Sequence, residues 1–243
     1  MGADASSNRD VHVWTVRDLR RRWKPAKERL SKAGEAEGLR IRLHRCCSWL
    51  QRVEQLPPAA SDPPSGSDGF DDAALVCRWI ALNALYARWD EQGRAPFADV
   101  ASLDSFTSHI TRIDHDGRIV AVLRDHKRLV LALLEDEFLS RNFWKERGDG
   151  LPRRRSRAGI DARKWYQQGR WASILDVTLG RIYVLRCQLV HGGATCGGRL
   201  NRTALRRCTQ MLGHLQPAIV LTMIDHGEAE DWGPLCYPPT GDA

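Results

Sequence analysis

The sequence predicts an all-α protein, an antiparallel helical bundle with additional helices and an irregular C-terminal tail. Three observations carry this expectation. Apolar residues recur at three- and four-residue steps over several long segments, no stretch alternates with period two, and β-branched residues do not cluster. Short links between such segments favour neighbouring helices that run up and down.

The elements follow in chain order. Residues 1–37 read as a basic N-terminal arm in which Arg17, Arg20, Arg21, Arg22 and Lys24 stand near Trp14 and Trp23, and Pro25 interrupts any helix. Residues 38–243 read as the helical domain. Leu39, Leu43, Cys47, Leu50 and Val53 define a first amphipathic helix that ends before Pro57. A proline- and serine-rich loop follows, and Asp71 and Asp72 supply capping chemistry for a second helix. There Val76, Ile80, Ala84 and Ala87 share a stripe, and Leu75, Trp79, Leu82 and Tyr86 widen it. Asn83 lies inside that surface and needs hydrogen-bond partners, either in a core polar network or beside a site.

A third helix is expected from about Gly117, burying Ile119, Leu123, Val130, Leu134 and Phe138, with His126 on the same stripe as a core histidine. A fourth runs from near Trp171 through Leu175, Leu179, Ile182 and Leu189 until Gly192 and Gly193 stop it. Asn201 is the expected cap of a fifth, which continues through Leu205, Cys208, Leu212, Leu215 and Ile219, with Pro217 bending its last turns. The final DWGPLCYPPTGDA reads as a tail laid across the bundle.

Composition narrows the function classes. With 243 residues, 42% of them hydrophobic and 28% charged, the chain has enough apolar mass for a core. The longest apolar run, Leu129 to Leu134, is far below the ~20 residues of a membrane span. The opening MGADASSNRDVHVW has no apolar stretch behind a basic end, so the expectation is a cytoplasmic protein without a signal peptide. Seven cysteines without paired spacing suit reduced thiols. Thirty-seven basic against thirty acidic residues give a net +7, which favours polyanionic partners.

One local pattern carries chemistry. In LRCQLVHGGATCGGRLNR, Arg186 and His191 are separated by four residues at the end of the fourth helix. Guanidinium is a fixed cation with bidentate donors for phosphate oxygens, and imidazole titrates near ~6.5 and can act as base or acid. Together with WIALNALYARW in the second helix, the Asn-Arg that opens the fifth and the closing DWGPLCYPP, this pattern resembles the HEPN superfamily of helical bundles. The likeness is to a bacterial branch near the Apea-like HEPN domains and covers the chain from about Leu39 to the end.

What the resemblance implies is a metal-independent endoribonuclease, a toxin or antiviral effector, whose two protomers bring their motifs into one composite site. RNA, a second copy of the chain and an antitoxin or neighbouring-gene protein are the implied partners. Arg186 and His191 would be catalytic. Five steps of ~100° set them about 140° apart around the helix, so one helix alone is a poor clamp and a two-fold partner would complete it.

Position 187 is a cysteine where the family usually carries a strongly polar residue, and Gln188, or Asn83 from the second helix, could replace that function. Two readings compete with catalysis. The same bundle could bind RNA, a nucleotide or a protein without turnover, or Arg186 and His191 could merely stabilise the carbonyl end of their helix.

The stretch from Leu151 to Arg170 holds Arg153, Arg154, Arg155, Arg157, Arg163, Lys164 and Arg170 against the single acid Asp161, a net +6 that leads into the motif helix. With Trp165, Tyr166 and Trp171 it is a candidate RNA-binding segment, and the bland alternative is a solvated loop with core-packing aromatics. Cys187, His191, Cys196 and Cys208 lack zinc-site spacing and GGATCGG lacks the GK[ST] ending of a phosphate loop, so neither a metal nor a cofactor is expected.

Overall fold

The computed structural model describes residues 14–33, 37–57, 69–145, 157–199 and 201–238, and these are mostly helical. Arg153, Arg154 and Arg155 lie outside the described residues. In chain order the helices are α1 (Val16–Ala33), α2 (Glu37–Glu54), α3 (Gly69–Tyr86), α4 (Asp99–Arg112), α5 (Arg118–Asp125), α6 (Lys127–Glu135), α7 (Arg141–Lys145), α8 (Ala158–Gln168), α9 (Trp171–Val190) and α10 (Arg202–His226). A two-residue hairpin, Trp89–Asp90 against Ala95–Pro96, joins α3 to α4. No described helix is long and apolar enough to cross a membrane.

The expected interruption at Pro25 does not occur. Helix α1 runs through it and places Val16, Leu19 and Trp23 in the common core. Pro25 is exposed, so the carbonyl it leaves unpaired one turn back faces water. Ion pairs from Arg22 to Asp225 and from Arg29 to Glu228 tie both sides of the proline to the end of α10.

Helix α2 forms where expected and packs along α3. In α3 the fully buried stripe is Leu75, Trp79, Leu82 and Tyr86, while Val76, Ile80 and Ala84 are half-buried. Asp72 is an anchor rather than a cap. Its carboxylate takes a bidentate pair from Arg202 at 2.7 and 2.9 Å and the Gly197 N–H at 3.0 Å.

The expected third helix is two helices broken at His126, whose φ of −101° and ψ of 24° leave the helical path. The Asp114 carboxylate accepts the first N–H groups of α5, and beyond the break α6 packs against α8. His126 is half-buried and stacks on His214. Phe138 is 40% exposed in a 3-10 turn (Glu137–Leu139), because α6 has already ended at Glu135.

Helix α10 is the spine of the bundle, contacting α1, α3, α4, α5, α6 and α9. Its side chains from Leu205 to Met223 supply much of the core, and the helix continues through Pro217. Asn201 makes no cap bond: its φ is +60° and its Nδ2 donates to Gln188 Oε1 at 3.4 Å.

The tail is held by arginines of α2. Arg42, 1% exposed, donates to the carbonyls of Leu85, Ala87, Trp232, Gly233 and Pro234. Arg45 reaches the carbonyls of Cys236 and Tyr237 at 2.8 Å. The closing DWGPLCYP segment is therefore part of the packed structure.

Candidate functional site

The chemistry at the end of α9 begins with how that helix stops. His191 is its C-terminal cap, with its N–H on the Cys187 carbonyl at 3.0 Å. Gly192 adopts φ +70°, a conformation costly for residues with a Cβ, and donates to the Leu189 carbonyl, while the Gly193 N–H returns to the Gln188 carbonyl at 2.7 Å. This Schellman turn ends the helix and leaves the His191 side chain exposed. Its imidazole has no hydrogen-bond partner among the described residues.

Arg186, one turn earlier, is half-buried. Its guanidinium carbon lies 5.9 Å from the centre of the Tyr183 ring and its Nη1 is 3.9 Å from Cys187 Sγ. Arg141 of α7 approaches the same ring at 4.9 Å, and Trp79 packs against it at 5.6 Å. Burial, then the hydrogen bond with Cys187, push the Tyr183 phenol above its ordinary value. Both cations thus face a neutral aromatic ring.

The other expected supporters do not reach Arg186. Asn83 donates to the Tyr86 hydroxyl and to Asp99 Oδ1, each at 3.1 Å, and the Tyr86 hydroxyl donates to the same carboxylate at 2.5 Å. Burial and then Asp99 drive the Tyr86 phenol far upward, although Arg186 is close enough to oppose them. Asn83 therefore belongs to a polar network between α3 and α4 that borders Arg186 without bonding it. Gln188 braces the turns on either side, donating to the Phe138 carbonyl at 3.0 Å and accepting from Asn201. Only Cys187 of the three is in contact with the guanidinium.

Beside this end of α9 opens a cleft of about 450 Å³ lined by Arg141, Trp144, Lys145, Tyr183, Cys187 and Gln188. Arg141 and Val184 also border a larger cleft of about 1080 Å³ that extends along α9 to Asp176 and reaches Arg157. Burial, then Asp104, raise the Asp176 carboxyl.

The basic segment is dispersed in its described part. Most of it forms α8 rather than a loop. Arg163 pairs with Glu135 at 2.6 Å, Arg170 lies over the Trp165 ring at 5.8 Å, and Arg157 and Lys164 are exposed. Trp165, Tyr166 and Trp171 pack on the core, with the Tyr166 hydroxyl on the Leu123 carbonyl at 2.8 Å. The three rings are half-buried, with one side against the core.

Tyr183, Arg141 and Asp99 were not singled out by sequence. Tyr183 carried a signal, since it stands three residues before Arg186 and four before Cys187 on one helical face. Among the described residues no three histidine, cysteine or acidic side chains converge as a metal site would require. No known protein family, curated protein or solved structure matches this chain.

Proposed function

We propose that the chain is a HEPN-like, metal-independent endoribonuclease in which Arg186 and His191 of two protomers form a composite site. The observation that carries this reading is the arrangement at the end of α9. A solvent-facing imidazole follows one turn after a half-buried guanidinium beside Tyr183, and Tyr183, Cys187 and Gln188 of the same helix end line an open cleft. A single copy offers one imidazole, so the second proton-transfer group must come from another copy.

In the proposed reaction one His191 takes the proton from the RNA 2'-hydroxyl. The 2'-oxygen then attacks phosphorus, and the P–O5' bond breaks as the second His191 gives its proton to the leaving 5'-oxygen. The products are a 2',3'-cyclic phosphate and a 5'-hydroxyl, with no net proton change. Arg186 stabilises the negative phosphorane, and each proton transfer contributes ~10² to 10⁴ in rate.

The test is RNA cleavage in the presence of a chelator by wild type, Arg186→Ala and His191→Ala. Cleavage by wild type with loss in both folded variants is expected, and cleavage that persists in both rejects the assignment. A binding module is the second reading. It is favoured by Cys187, whose thiol is a weak orienting partner for Arg186, and by an imidazole that no described residue of its own protomer holds by a hydrogen bond. Saturable RNA binding without cleavage selects it.

A further inference from the structure

A third cleft, about 750 Å³, opens between α3, α5 and the middle of α10, lined by Arg78 together with Asp125 and the ion-paired Asp71. Arg78 donates through Nη1 to Gln216 Oε1 at 3.1 Å, and its Nε is buried without a partner. Among the described residues no carboxylate lies within ion-pair distance of it. The neighbouring arginines differ: Arg118 pairs with Asp116 and Asp225, and Arg206 pairs with Asp71. Burial lowers the Arg78 pKa while Glu54 of α2 opposes it from beyond ion-pair distance, and a largely buried charge without a contact partner is costly enough that proteins ordinarily supply it with an anion or a ring of carbonyls. Arg42 has such a ring, and Arg78 has only one amide oxygen.

Other donors with unmet capacity stand beside it. The guanidinium lies against the α10 backbone at Gly213, where an added Cβ would be 3.4 Å from its Cζ and Nη2. One residue on, His214 Nε2 is buried without a partner, and one turn back the Thr209 hydroxyl is buried without a partner. His126 stacks on the His214 ring with centres 3.7 Å apart and planes 14° apart, which fixes that imidazole. A guanidinium N–H, an imidazole nitrogen and a hydroxyl can all donate, and buried groups of this kind call for an acceptor.

We infer that the cleft bordered by Arg78, Thr209 and His214 is a binding site for a phosphate-type oxyanion, free or as the phosphate of a small monoester. A tetrahedral oxyanion offers several acceptor oxygens to donors along one wall of the cleft and supplies a negative charge in contact with Arg78. The cleft is larger than one phosphate ion, so it also has room for the organic part of a monoester.

The full-length chain should be titrated at neutral pH with inorganic phosphate, and separately with adenosine monophosphate, against chloride at matched ionic strength. Calorimetry and the imidazole nitrogen resonances are the readouts. The expected result is saturable binding of at least one probe that shifts the His126 and His214 resonances, weakened at least tenfold in Arg78→Gln. Tighter binding of the nucleotide than of phosphate identifies a monoester ligand, and equal binding identifies the free ion.

If Arg78→Gln does not fold, Thr209→Val replaces it and should weaken binding at least threefold, while the wild-type resonances report the location directly. The inference is overturned by shifts no larger than chloride produces, by full binding in the folded variant, or by binding that disappears in Arg186→Ala. That last outcome would place the anion at the end of α9. The inference does not depend on the ribonuclease reading, and loss of RNA cleavage activity leaves it unaffected.

Discussion

Replacing Arg42 with methionine tests whether a buried cation, rather than apolar contact, holds the last described segment against the bundle. The guanidinium makes five donor contacts of 2.6 to 3.2 Å to carbonyls at the end of α3 and in the tail. Methionine fills part of the volume and donates nothing. The tail carbonyls can turn to water once released, but those of Leu85 and Ala87 sit at the helix end beneath them. Two stranded acceptors at ~1–3 kcal/mol each, partly offset by no longer burying a charge, give a net loss of about 2 to 4 kcal/mol. That offset is real, because burial has lowered the Arg42 pKa to about 10. For a chain of this size the loss corresponds to a Tm lower by roughly 5 to 15 °C. Urea unfolding of Arg42→Met, followed by circular dichroism, measures it. Hydrogen exchange should show the amides of 232–237 losing protection before any other segment. A variant within ~0.5 kcal/mol of wild type, with its tail still protected, would refute the clamp.

Three further outcomes are expected. Asp72→Asn removes the charge that Arg202 grips bidentately and should destabilise by about 3 to 5 kcal/mol, measured by the same urea titration, because both side chains are nearly buried. In phosphate-free buffer, acidification from pH 7.5 to 5.5 should lower stability. Burial first, then His126 and Arg78, depress the His214 pKa below its ordinary 6.5, so the unfolded chain takes up the proton first and the loss grows as pH falls through 6.5. His214→Gln should flatten that slope, and an unchanged slope assigns the effect elsewhere. Thiol titration of the native protein should modify exposed Cys196 first, with Cys46, Cys47 and Cys208 reacting only after denaturation, since burial raises all three.

The helices that announce themselves in the sequence are long ones in which many apolar residues repeat. Helices α2, α9 and α10 lie close to their expected bounds because that repeat outlasts the buried Arg42, Thr178, Arg181, Gln216 and Thr222 within it. Helix α4 was not read because Ser102 and Thr107 occupy its buried face beside Leu103, Phe106 and Ile110, so its stripe looks interrupted. The break at His126 has no glycine or proline to mark it, and the apolar spacing runs through it unchanged. Pro25 misled in the opposite direction, because a helix anchored on both sides tolerates a proline on its wet face. At the candidate site, Arg186 and His191 are legible through the resemblance that their spacing and surroundings carry, and Cys187 through its departure from that pattern. The link between Asn83, Tyr86 and Asp99 required knowing that α4 begins beside the end of α3, which no local pattern encodes.

The arginine clamp also constrains the order in which this protein can be completed as it is made. Arg42 and its farthest acceptor, Pro234, are separated by 192 positions. At a synthesis rate of ~5 to 20 residues per second, the guanidinium waits roughly 10 to 40 seconds for the tail carbonyls to be polymerised. During that interval the α2 and α3 pair can assemble only with its cationic seat open to water, and a ribosome stalled before Trp232 would hold the bundle unlatched.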